Sequence, residues 1–133
     1  MIIGENRNNI VRFYIEKSLQ TFEDAELLAL NERWNSCVNR LYYSAFYIVY
    51  ALLISSIDVR SKTHNGIKFL FHENFIHNGK IDKEFSRHYT YLSELRSASD
   101  YEDFEILYKE EVEPLIDKTK DFIDTLRNLI PLN

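Results

Sequence analysis

The pattern of apolar and polar positions is helical along almost the whole chain. Val11, Ile15, Phe22, Ala25 and Ala29 recur at helical spacing, with Glu16, Lys17, Glu23, Asp24 and Glu26 largely on other faces. This predicts a first helix over about 8–30. A second, over about 35–55, has its strongest stripe at Val38, Tyr42, Ala45, Val49 and Leu52. Its opposite stripe, Tyr43, Tyr47, Tyr50 and Ile54, is also apolar but rich in tyrosine. Thr63 is placed to cap a short third helix carrying Ile67, Leu70, Phe71 and Phe75. His77-Asn78-Gly79-Lys80 reads as a turn. Asp82 is placed to cap a fourth helix with Phe85, Tyr89, Leu92 and Leu95 on one face. Residues 97–108 read as a loop of acids and aromatics. A fifth helix over about 109–129 turns Val112, Leu115, Thr119, Phe122, Leu126 and Leu129 inward, with Pro114 early, where a helix tolerates it best.

No strand pattern competes over more than a few residues, and the connections are short. The expected fold is all-α: an up-and-down bundle of four or five helices, one domain over 1–133. A chain of 133 residues with 45% apolar and 14% aromatic side chains can bury a real core. Three glycines and two prolines are few turn formers, which agrees with helices.

The second helix is apolar on nearly every side, so something must cover all of it. From Leu41 to Ile54 only Ser44 is strongly polar. That run is 14 residues, short of the roughly 20 a membrane span needs, and four of them are tyrosines. No membrane association is expected. The N-terminus, Met1-Ile2-Ile3-Gly4-Glu5-Asn6-Arg7, has no apolar segment behind a basic start, so no secretory signal is read there. Cys37 is the single cysteine, which rules out an internal disulfide and fits a reducing cytoplasm. Its ordinary role is a small core residue. The excess apolar area and the tyrosines of the second helix predict a homodimer, since tyrosine is enriched at interfaces.

The net charge of −5 argues against broad, nonspecific nucleic-acid binding but allows a local basic site. There is no phosphate-binding glycine loop, no Cys/His metal spacing and no nucleophile elbow. The histidines are His64, His72, His77 and His88. His72 and His77 are five apart and so do not share an α-helix face. No metal and no cofactor are expected.

Three clusters carry candidate chemistry. Arg40 with Tyr43 opens the second helix; alternatively the arginine satisfies buried carbonyls or a neighbouring acid. Lys62-Thr63-His64 stands at the start of the third helix, where amide donors and the dipole favour anions; the plain alternative is a capped helix start. Leu95-Arg96-Ser97-Ala98-Ser99-Asp100-Tyr101 ends the fourth; there the arginine has an alternative role at a helix C-terminus.

The order of these clusters is more specific than any one of them. Asn39-Arg40-x-Tyr42-Tyr43-x-x-Phe46, then Lys62-Thr63-His64-x-Gly66, then Leu95-Arg96-x-x-x-Asp100-Tyr101 resembles the HEPN superfamily, and within it the small single-domain bacterial and archaeal branch. The resemblance covers about 35–104 by motif and nearly the whole chain by helix order. It implies a helical bundle that pairs two-fold. It also implies the toxin half of a toxin–antitoxin pair, working as a metal-independent ribonuclease, with a minimal nucleotidyltransferase as antitoxin. Catalytic members carry an arginine followed, after four to six residues, by a histidine. This chain departs from that: Tyr101 stands where the histidine would, five positions after Arg96.

The departure matters for mechanism. Metal-free RNA cleavage needs a base for the 2′-hydroxyl and a cation for the developing phosphorane charge. Arg96 suits the second task. Tyrosine, ordinarily titrating near 10, is a poor base, whereas His64 has the right range. The expected catalytic set is therefore Arg96 with Tyr101 or His64. Arg40, Tyr43, Lys62 and Asp100 are expected to bind RNA or a nucleotide beside it. Two further readings stand next to this one: a non-catalytic module that binds a nucleotide or partner protein through the same cleft, and a helical bundle whose aromatic faces only hold an oligomer together.

Overall fold

The computed structural model describes residues 4–101 and 106–132, the side chains of 4, 5 and 99–101 excepted. Five α-helices follow in order: α1 (Gly4–Leu30), α2 (Trp34–Ser56), α3 (His64–Phe71), α4 (Lys83–Tyr101) and α5 (Lys109–Asn128). A single π-helical turn, His72–Ile76, continues α3. No strand occurs among the described residues, and the fold is an all-α bundle.

Contacts between side chains set the directions. Ser18 bonds the Ser44 carbonyl, while Tyr14 meets Tyr47 and Tyr50, so α1 and α2 are antiparallel. Phe85 meets Phe122 and His88 meets Thr119, so α4 and α5 are antiparallel as well. The corner between α1 and α2 is tight. Glu32 takes φ 57°, the left-handed conformation that a helix end commonly demands, and the Arg33 N–H reaches back to the Leu28 carbonyl at 2.9 Å. At the other helix starts the expected caps are present. Thr63 Oγ1 accepts from the Gly66 N–H at 2.9 Å, and Asp82 Oδ1 accepts from the Glu84 N–H at 2.8 Å. Ahead of α5, the Leu107 N–H donates to Asn35 Oδ1 at 2.9 Å, which pins the start of α5 to the start of α2.

The central element is α2. It contacts α1, α3, α4 and α5, and this encirclement is why its sequence is apolar all round. Val38, Leu41, Ala45, Ile48, Val49, Leu52 and Leu53 have no exposed surface. The helix is long and apolar enough to cross a membrane, but 67% of its most apolar window is buried inside the protein, as befits a core helix. Cys37 is also fully buried, and burial pushes its thiol up to about 12, which makes it an inert core residue. The tyrosine-rich stripe is not left bare. Ile54 is buried, and the Tyr14 ring of α1 packs edge-on against Tyr50 with centroids 4.8 Å apart.

Two boundaries differ from the sequence reading. The first helix begins at Gly4 rather than near Asn8. The segment read as a loop from Ser97 is helical through Tyr101. Ser97, Ala98 and Ser99 lack the large apolar side chains that mark a buried face, but nothing in them breaks a helix already running.

Between α4 and α5, His88 is half-buried and its Nε2 lies 2.9 Å from Thr119 Oγ1. Burial first, and the Lys118 ammonium second, lower its pKa to about 4. The imidazole is thus neutral in the folded state, while an unfolded chain takes up a proton near 6.5. Stability from this group is complete above 6.5 and is lost as the pH falls toward 4. Acidification from neutrality to about pH 5 should cost about 1–2 kcal/mol through His88. Urea unfolding at both pH values checks this, and His88→Gln should flatten the difference.

Candidate functional site

The N-terminal half of α2, the first residue of α3 and the C-terminal half of α4 meet at one tyrosine. Tyr42 is 1% exposed. Its hydroxyl lies 3.0 Å from Nδ1 of His64. The Arg96 guanidinium, from α4, lies over the Tyr42 ring at 4.8 Å and also reaches the Tyr43 ring at 5.7 Å. Arg40 lies over Tyr43 at 5.2 Å, and its Nε and Nη2 both donate to Asn39 Oδ1, at 3.0 and 2.7 Å. Two arginines therefore flank one aromatic pair, and cation–π attraction holds each in place.

His64 is half-buried in an aromatic wall. Its ring lies 4.6 Å from Phe46, 5.6 Å from Tyr42 and 5.7 Å from Tyr43, centroid to centroid. Burial, and then the positive charge of Arg96, lower its pKa below 6.5. The imidazole is neutral at pH 7 and ready to accept a proton. When Nδ1–H donates to the Tyr42 oxygen, Nε2 is the nitrogen left with a lone pair. Behind Tyr42 stands Tyr89 of α4, its ring nearly parallel to that of Tyr42 at 5.9 Å and 2% exposed. Burial raises the pKa of both phenols, so both keep their protons at neutral pH.

Gly66 explains how His64 is held. The connector before α3 lies so close that a Cβ at position 66 would overlap the Ser61 hydroxyl and come within 2.8 Å of Thr63 Oγ1. Gly66→Ala should push Ser61–Thr63 away and shift His64 from Tyr42. We expect a stability loss of about 1 kcal/mol, from a weakened cap, together with a changed His64 imidazole resonance in NMR spectra.

Of the residues singled out from sequence, Arg40, Tyr43, His64 and Arg96 gather here although they are spread over α2, α3 and α4. Lys62 is exposed in the connector, and no contact among the described residues joins its side chain to the cluster. The side chains of Asp100 and Tyr101 lie outside the described residues. Tyr42 was missed as a site residue because its spacing places it on the apolar stripe. The available signal was the Tyr-Tyr pair itself, which puts one hydroxyl on each side of the stripe's edge. Among the described residues no three His, Cys, Asp or Glu side chains gather to hold a metal ion.

Comparison with known proteins places this geometry in context. The model of the HEPN domain matches residues 11–129. A "UPF0332 protein" of Thermotoga maritima is 35% identical over 124 residues, covering 93% of each chain. "Putative toxin MJ0142" of Methanocaldococcus jannaschii is 33% identical over 120 residues, 90% of this chain and 81% of that one. "Putative toxin MJ0605" of the same organism is 27% identical over 129 residues, 97% and 95% of the two chains.

Proposed function

We propose, for a chain that belongs to the HEPN domain family, that the cluster around Tyr42 cleaves RNA and that the protein is the toxin of a toxin–antitoxin pair. The observation that carries this reading is the meeting of His64 and Arg96 on Tyr42. It supplies a neutral base and a fixed cation side by side, the two groups that cleavage through the 2′-hydroxyl requires. His64 Nε2 takes the 2′-hydroxyl proton, and the 2′-oxygen attacks the adjacent phosphorus. Arg96 holds the phosphorane oxygens through two parallel N–H donors. The bond to the 5′-oxygen breaks, leaving a 2′,3′-cyclic phosphate, and the leaving oxygen is protonated. Tyr101 is assigned to that last transfer on its position after Arg96 alone. Arg40 and Lys62 add positive potential for the strand, and Tyr43 offers a ring edge to a base.

The toxin reading is supported by the names of two relatives from Methanocaldococcus jannaschii. A nucleotidyltransferase antitoxin, a homodimeric assembly and a cytoplasmic location belong to the same proposal. Induced expression should arrest growth, and co-expression of a neighbouring nucleotidyltransferase should relieve it. Purified protein should cleave single-stranded RNA in the presence of a chelator and sediment at twice the 15.9 kDa chain mass. Tight nucleotide binding with no cleavage and no arrest would instead identify a non-catalytic binding module, the reading favoured by the tyrosine at the motif-histidine position.

A further inference from the structure

At the far end of α4 from Arg96, the structure holds a second group of cations that the reading above does not use. Phe71 ends α3, but the helix does not stop. It widens into the π turn, whose closing bond runs from the His77 N–H to the His72 carbonyl at 2.8 Å. In an α-helix, residues five apart point well away from each other, since a turn takes 3.6 residues. The i to i+5 bond of the π turn removes that offset and brings the His72 and His77 rings to 6.4 Å, against the sequence expectation. The chain then reverses at Gly79, with φ 79°, and starts α4 with Lys83. Arg87 follows one turn later on the same face.

His72, His77, Lys83 and Arg87 line an open hollow of about 550 Å³, together with the Ser86 hydroxyl. Its apolar floor is Ile76, which is 4% exposed. Two acids stand near the rim without closing it. Glu73 lies 3.9 Å from His72, and Asp82 is engaged with the Glu84 N–H. Among the described residues, neither Lys83 nor Arg87 has an ion-pair or hydrogen-bonding partner for its side chain. A protein of net charge −5 thus gathers two cations with no ion-pair partner among the described residues, two imidazoles and a hydroxyl around one concavity.

We propose that this hollow binds the oxyanion of a phosphoryl group. The donor set fits it: a planar guanidinium for paired contacts, an ammonium as a point charge, and imidazole and hydroxyl donors for the remaining oxygens. The phosphoryl group comes either from an RNA backbone or from a free nucleotide, and both present the same oxygens. Binding here does not depend on cleavage at Tyr42, because Arg87 and Arg96 are nine residues apart, roughly 13 Å along α4.

The test follows the imidazole NMR signals of His72 and His77 in the full chain during separate titrations with inorganic phosphate, ATP and a short single-stranded RNA. Shifts at both rings with a saturable dependence are expected from at least one of them. In Lys83→Gln/Arg87→Gln the affinity should fall at least tenfold, and Arg96→Ala should leave these shifts in place. RNA saturating at lower concentration than ATP identifies a backbone-phosphate site, and the reverse identifies a nucleotide site. No shift at either ring with any of the three probes at millimolar concentration overturns the proposal. So do shifts that persist with unchanged affinity in the double variant. All four residues stand at the surface, and the wild-type titration does not depend on any variant folding. Wild-type protein that shows these shifts but cleaves no RNA would sink the ribonuclease reading alone.

Discussion

Arg96→Ala is expected to lower RNA cleavage by about 10²–10³-fold and to abolish growth arrest on induced expression. In the proposed mechanism the guanidinium meets charge that develops only in the transition state. It is also held from below by the Tyr42 and Tyr43 rings, so its position is not left to solvent. Arg96→Lys keeps the charge but loses the planar pair of donors, and its ammonium cannot stack as a guanidinium does. It should recover only part of the activity, about tenfold over the alanine variant. A lysine variant as active as the wild type would mean that charge alone is needed. An active alanine variant would remove Arg96 from the mechanism.

His64→Ala should have a comparable effect, about 10²–10⁴-fold in kcat, because it removes the proposed base. The pH profile separates this role from a structural one. A base works in its neutral form, and the pKa of His64 lies below 6.5 through burial and the nearby Arg96. Wild-type kcat/KM should therefore rise with pH on the acidic side and level off before neutrality. In His64→Ala that acidic limb should vanish. Tyr42→Phe is a finer probe, since it keeps the ring under Arg96 and removes only the hydroxyl that pairs with His64 Nδ1. A roughly tenfold drop in kcat with little change in KM is expected. An acidic limb unchanged in His64→Ala would show that another group titrates.

The bundle was legible because its helices are strongly periodic. Val38, Tyr42, Ala45, Val49 and Leu52 describe the buried side of α2 without any knowledge of what covers it. The candidate site was harder to read, for a physical reason. Arg40, Tyr43, His64 and Arg96 are individually ordinary, and only the crossing of α2 by α3 and α4 brings their side chains together. Tyr42 shows the limit most clearly. Its spacing says core, and it is core, yet its hydroxyl meets an imidazole contributed 22 residues later. The π turn was not legible at all. An α-helical period places His72 and His77 apart, and no residue in His72–Ile76 announces the wider hydrogen bond that unites them. Lys62 illustrates the converse: adjacency in a motif with His64 did not bring its side chain into the cluster.

Among the described residues the antiparallel pair α1–α2 makes the most extensive interhelical contact, and its two halves are joined by a three-residue corner. The most densely packed unit is the last to open, so this hairpin should be the slowest of the described helices to exchange its amide hydrogens. His64 and Arg96 belong to the other part, docked on the hairpin through smaller contacts. A partial opening that moves α3 and α4 off the hairpin would therefore part His64 and Arg96 from Tyr42 and expose the Tyr42 ring, while α1 and α2 stay paired. Such an opening should cost less than global unfolding, and it would show as faster amide exchange in α3 and α4 than in α1 and α2.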